Sequence, residues 1–120
     1  MDPGAPLCQV VNRRLVGLGV DVVSIDRITR VRSRRDLMTH VCAPEELKTP
    51  MTDLRAAQMW AGKEAVAKAL GTGFWQAGVE WRDVRFDARW AVSCHGSAAD
   101  LLGDSAVSVE FQRDGDRMLA

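Results

Sequence analysis

The 120 residues predict an α+β fold, and three observations carry the prediction. An apolar, β-branched stretch stands near the start, from Leu15 to Val23. A long alanine-rich helix fills the middle and closes at Gly71. A run of strand-like segments then occupies the last third. The pattern lacks the regular strand–helix alternation of a doubly wound sheet.

The elements follow in order. Residues 1–12 hold Pro3, Gly4 and Pro6 without periodicity, which predicts a flexible extension and leaves 13–120 as one domain. Leu15 to Val23 reads as a buried strand. Gly17 and Gly19 within it suggest close backbone approach along one face. Asp21 is a carboxylate in this apolar run. Burying it alone is costly, so it either has a partner, a metal or water, or ends the strand solvated. Ser24 can cap a helix reaching about Arg35, with Ile25, Ile28 and Val31 spaced as a buried stripe. Leu37 to Val41 is a short apolar segment. Pro44 to Leu47 reads as a first helical turn that Pro50 ends.

Thr52 or Asp53 can cap the long helix. Its apolar face runs through Met59, Val66, Ala69 and Leu70, with Lys63, Glu64 and Lys68 mostly off that face. Gly71 sits where a left-handed cap residue belongs. Val79 to Phe86 alternates like a strand, although Asp83 breaks the pattern and a bulge there is allowed. Ala91 to Cys94 reads as a second short strand, Ala98 to Leu102 as a small helix closed by Gly103, and Ala106 to Phe111 as a third strand. Asp114-Gly115 signals a hairpin leading into Met118 to Ala120.

Composition narrows the function. The chain is 47% hydrophobic and 27% charged, ordinary for a globular protein, and its formal net charge of +0 offers no field for nucleic acid or an anionic membrane. No segment is apolar for long enough to span a bilayer. The three cysteines, Cys8, Cys42 and Cys94, form no disulfide framework and fit a reducing, cytoplasmic setting. GxGxxG, the GxxxxGK[ST] phosphate loop and a Ser-His-Asp set are all missing. His40, Cys42, Cys94 and His95 lack the repeated spacing of a metal site.

Two places invite a functional reading beside a bland one. Lys63, Glu64 and Lys68 are either a solvated face with one exposed ion pair, or a carboxylate and two ammonium groups turned toward a polyphosphate. In the second case magnesium would need another carboxylate, since it is usually held by one or two carboxylates plus substrate phosphates; Asp21 is the candidate. Arg27, Arg30, Arg32, Arg34 and Arg35 crowd one short helix against Asp26 and Asp36. They are either a solvated face or a docking surface for an acidic partner. No aromatic residue lies among them for base stacking, which argues against nucleic acid.

Gly17-Leu18-Gly19-Val20-Asp21-Val22-Val23-Ser24-Ile25-Asp26-Arg27-Ile28 resembles the opening motif of holo-[acyl-carrier-protein] synthases. Ala43-Pro44-Glu45-Glu46-Leu47 is similar to their next segment. Trp60 to Gly73, with Lys63-Glu64-Ala65 and Lys68-Ala69-Leu70-Gly71-Thr72-Gly73, is similar to their second signature. Order and separation agree, and the resemblance spans about residues 15–112.

The resemblance implies the 4′-phosphopantetheinyl transferase fold, a small antiparallel sheet packed with a long helix and assembling as a homotrimer. It implies transfer of 4′-phosphopantetheine from coenzyme A to a serine of an acyl carrier protein. By the same resemblance Asp21 and Glu64 would hold Mg2+, and with Lys68 they would be the catalytic set. Lys63 and Lys68 would face the coenzyme A phosphates, with Gly71, Thr72 and Gly73 lying near the coenzyme. Arg27 matches a family arginine that contacts the acidic carrier, with Arg30 and Arg34 beside it. Three positions depart from the family pattern. Met59 replaces a basic residue, Ala88-Arg89-Trp90 replaces a Gly-Lys-Pro hairpin, and Phe111 replaces a histidine. The alternative these departures raise is a reused fold that binds a carrier protein, or acts on a carrier-bound acyl chain, without transfer.

Overall fold

The computed structural model describes residues 15–71 and 78–120. The expected flexible extension (1–12) and the expected coenzyme-contacting Thr72 and Gly73 lie outside the described residues. Strand β1 (Val22–Ser24) leads directly into helix α1 (Ile25–Arg34). Ser24 caps α1, its hydroxyl accepting from the Arg27 amide at 3.1 Å, and Ile25 and Ile28 are buried as the stripe predicts. Helix α2 (Leu37–Val41) and a 3₁₀ turn (Pro44–Lys48) follow.

Helix α3 (Asp53–Ala69) is the central element. Thr52 caps it by accepting from the Arg55 amide at 3.1 Å, and Gly71 ends its last turn at φ +90, as the left-handed cap position requires. The expected one-sided apolar face is too narrow. Ala56, Ala57, Met59, Ala61, Gly62, Lys63, Ala65, Val66 and Ala67 are all buried, so α3 is enclosed on most sides. Small alanines make this possible, because they let neighbouring chain close in from several directions.

Two small antiparallel sheets complete the fold. One pairs β2 (Val84–Phe86) with β3 (Val92–Cys94). After helix α4 (Gly96–Leu102), β4 (Gln112–Asp114) and β5 (Arg117–Leu119) form the hairpin that Asp114-Gly115 signals. The other sheet has the order β1-β5-β4, so the final strand lies at its centre, with Val22 opposite Leu119. The main core gathers Ile28, Met38, Val41, Met59, Val66 and Phe86, among others, around α3. A second cluster joins Ile25, Ala57, Ala61 and Met118 under the three-stranded sheet.

Three expected strands are shorter or displaced. Of Leu15 to Val23, only Val22 and Val23 enter the sheet. Residues 15–20 instead pass directly over α3. There a Cβ on Gly17 would overlap the carbonyl oxygen of Ala69, and one on Gly19 would stand 2.6 Å from the Ala69 nitrogen. Of Val79 to Phe86, only the last three residues are strand, because Asp83 folds the preceding stretch into a 3₁₀ turn (Trp81–Asp83). Its carboxylate accepts from the Glu80 amide at 3.0 Å. Ala106 to Phe111 alternates as expected, with Val107, Val109 and Phe111 half-buried and Ser108 and Glu110 exposed. No strand among the described residues pairs with it; the sheet strand is Gln112–Asp114.

Candidate active site

Asp21 is placed by backbone pairing. Its amide donates to the Ala120 carbonyl at 3.0 Å, and the Ala120 amide donates back to Asp21 at 3.0 Å. With Gly17 and Gly19 seated on α3, this register carries the Asp21 side chain to the end of that helix. Lys68 Nζ donates to Asp21 Oδ1 at 2.9 Å and to the Val20 carbonyl at 3.1 Å. The other carboxylate oxygen, Oδ2, is buried and has no hydrogen-bond partner. The hydrogen bond to Asp21 pushes the Lys68 ammonium up from its ordinary range. Glu64 stands one turn before Lys68 on α3 and is half-buried. Burial first, and then the Asp21 charge, push its carboxyl above the ordinary value of 4.5, with Lys68 opposing. Asp21, Glu64 and Lys68, three residues singled out in sequence, are therefore brought together.

This arrangement fits a divalent cation completed by a ligand. Asp21 Oδ2 has no hydrogen-bond partner, and at Glu64 the Asp21 charge outweighs the opposing Lys68. No group of three or more His, Cys, Asp or Glu stands together among the described residues. Two hard carboxylates that leave coordination positions for substrate phosphates suit magnesium.

Lys63 is not brought to this site, contrary to the expectation that it faces the coenzyme phosphates. It is fully buried on another side of α3. Its ammonium donates to Glu46 Oε1 at 2.7 Å, to the Trp81 carbonyl at 3.1 Å and to the Val84 carbonyl. Burial lowers the lysine's proton affinity, and the Glu46 carboxylate opposes this. Glu46 is equally enclosed. Its Oε1 also accepts from the Ala43 amide at 2.8 Å, and Oε2 accepts from the Phe86 amide at 2.9 Å. The pair ties α3 to the 3₁₀ turn at Pro44–Lys48 and to β2. Next to it, burial pushes the Cys42 thiol up to about 11, which leaves it unreactive.

The arginine helix α1 begins four residues after Asp21. Arg27, Arg30 and Arg34 are exposed, and Arg30 pairs with Asp26 at 3.0 Å. Arg32 is turned inward instead, donating to Asp53 at 2.8 Å and to the Met51 carbonyl at 2.8 Å. Two partners lay beyond sequence reasoning. Glu46 is one. Asp116 is the other, since it accepts from the Ser24 hydroxyl and, at 2.9 Å, from the Asp26 amide. Those bonds hold its carboxyl below the usual range and lock the β4–β5 turn onto the start of α1. The hairpin signal placed Asp116 in a turn, but nothing local pointed to a partner so far back in the chain.

The departures from the family pattern pack in or against the main core. Met59 is fully buried in the main core. Phe111 packs on Trp90 at 4.8 Å and edge-on to Phe86 at 6.1 Å. A Cβ on Gly62 would meet both phenylalanine rings at 2.9 Å. Trp90 adopts φ +68, and Arg55 stacks 4.4 Å above its ring.

Comparison with known proteins agrees with the geometry. A holo-[acyl-carrier-protein] synthase of Solidesulfovibrio magneticus is 40% identical over 111 residues, covering 82% of this chain and 89% of that protein. The solved holo-[acyl-carrier-protein] synthase of Neisseria meningitidis superposes with a TM-score of 0.71 at 30% identity, covering 88% of this chain and 94% of that one. The Helicobacter pylori protein of the same name, solved in complex with coenzyme A, gives a TM-score of 0.71 at 22% identity, covering 85% and 94%, and so matches in fold. Residues 17–116 match the model of the 4′-phosphopantetheinyl transferase superfamily, and the chain belongs to that family.

Proposed function

We propose that this protein is a holo-[acyl-carrier-protein] synthase that moves 4′-phosphopantetheine from coenzyme A to a serine of an apo acyl carrier protein, with magnesium. The observation that carries the reading is the meeting of Asp21, Glu64 and Lys68, with one Asp21 oxygen on the lysine and the other buried without a partner. Its relatives' names support it.

In this reaction the serine Oγ attacks the phosphorus that carries the pantetheine arm. The bond from that phosphorus to the 3′,5′-ADP oxygen breaks, and the nucleotide leaves with the electron pair. Asp21 and Glu64 would hold Mg2+, which supplies charge neutralisation across the pyrophosphate when bound. Lys68 offers its half-exposed ammonium to the phosphates. The serine proton goes to Glu64 or to a water beside it. Gly71 starts the turn that, with Thr72 and Gly73, we place near the coenzyme. Arg27, Arg30 and Arg34 form the face for the acidic carrier, beside the site because α1 follows Asp21.

We also propose a cytoplasmic homotrimer. The support is an exposed apolar arm, with Leu15 80% and Leu18 74% accessible, beside a groove of about 410 Å³ running to Val107 and Val109.

A thermal-shift titration tests the site. Coenzyme A with magnesium should raise the melting temperature, and Asp21→Asn should remove the magnesium-dependent part. An equal shift in Asp21→Asn and wild type contradicts the ligand assignment.

A further inference from the structure

We propose that Lys68 is a built-in counter-ion for Asp21, which a divalent cation must displace, so that metal and coenzyme A enter together. The lysine moves from carboxylate to phosphate as the metal takes its place. The inference rests on the transferase reading above.

The two ends of the Lys68–Asp21 pair differ in freedom. The Asp21 side chain is 14% exposed and fixed by backbone pairing on both sides of its peptide, whereas the Lys68 side chain is 46% exposed on a flexible stem. The ammonium is therefore the part that can leave. It serves only one carboxylate oxygen, at 2.9 Å, while Oδ2 stays buried and unserved. Two carboxylates, Asp21 and Glu64, face one ammonium, so an attraction for cations persists with Lys68 in place. A metal arriving alone shares Asp21 with a like charge at contact distance. When coenzyme A is present, its phosphates give the ammonium another partner and the repulsion is relieved. By linkage, whatever the coenzyme does for the metal, the metal does equally for the coenzyme.

The consequence runs against the usual expectation for removing a site lysine. Without Lys68, the metal on its own should bind more tightly. Mn2+ titrations followed by electron paramagnetic resonance measure this directly, on wild type, Lys68→Met and Lys68→Arg, each with and without coenzyme A. Wild type should bind Mn2+ about fivefold or more tightly once coenzyme A is present. Lys68→Met should bind Mn2+ alone about fivefold or more tightly than wild type does, and should gain less from coenzyme A. Lys68→Arg keeps the positive charge and should bind Mn2+ alone no more tightly than wild type, which also controls for effects on folding. Lys68→Met binding Mn2+ alone no better than wild type overturns the counter-ion role. If wild type nevertheless shows metal-dependent transfer, the transferase reading stands and only this inference falls. If wild type binds no Mn2+ with or without coenzyme A, the metal assignment falls and takes the inference with it.

Discussion

Asp21 shows how much a single carboxylate can disclose. In sequence it is one acid in an apolar run; in the structure one oxygen meets Lys68 and the other meets nothing. Glu64 is its counterpart, its proton affinity raised by burial and by the Asp21 charge. Ionising Glu64 therefore costs the metal-free fold stability. A carboxyl whose folded value is raised contributes stability that is present below its ordinary 4.5 and lost as pH rises through the raised value. Glu64→Gln should remove that loss, leaving the metal-free melting temperature at pH 7 equal or higher, while transfer activity falls on the order of 100-fold or more. Melting curves across pH, paired with an activity assay, check both halves; an active variant sinks the ligand assignment. Lys63 teaches the opposite lesson. Its neighbour in sequence faces the site, yet Lys63 itself is closed into the core on Glu46. Lys63→Met should cost about 3–5 kcal/mol in denaturant unfolding, because Glu46 would be left as a buried charge. Asp21, Glu64 and Lys68 were legible as residue types at suitable spacing. The fate of Lys63 was not, because the face through Met59, Val66, Ala69 and Leu70 leaves Lys63 off it, while small alanines let neighbouring chain enclose that side as well.

At the level of elements, helices were easier to read than strands. Caps are local: Ser24, Thr52 and Gly71 act within a few residues of where they stand, so the chain around them specifies the start of α1 and both ends of α3. A strand needs a partner elsewhere, and alternation cannot say whether one arrives. Ala106 to Phe111 has the right pattern and no partner strand among the described residues, while Leu15 to Val20 meets a helix instead of a sheet. The glycines of that arm did signal a close approach, and the approach is what delivers Asp21 to α3. Gly19→Ala would force the arm off Ala65 and Ala69. We expect it to cost about 1–3 kcal/mol in unfolding and to weaken magnesium-dependent coenzyme A binding, since Asp21 moves with the arm. A stable variant with full metal dependence would show that Asp21 is positioned by its pairing with Ala120 alone.

The whole molecule leaves apolar surface uncovered. Leu15, Val16, Leu18 and Val20 are each more than half exposed, and the groove beside them is lined by Ala65, Ala69, Val107 and Val109. A chain of 13.2 kDa has a small core, and association through this face would enlarge it. Light scattering should give three times the chain mass, and Leu18→Asp should reduce it to one; an unchanged trimer in Leu18→Asp moves the interface elsewhere. Assembly was not legible in the residues themselves, where an exposed apolar strand and a buried one look alike. The most direct measurement of the reaction is intact-mass spectrometry of an apo acyl carrier protein incubated with this protein, coenzyme A and magnesium. The account predicts a gain of one 4′-phosphopantetheine that EDTA abolishes. A carrier that stays unmodified, with coenzyme A binding verified separately, would contradict it and point to a reused fold.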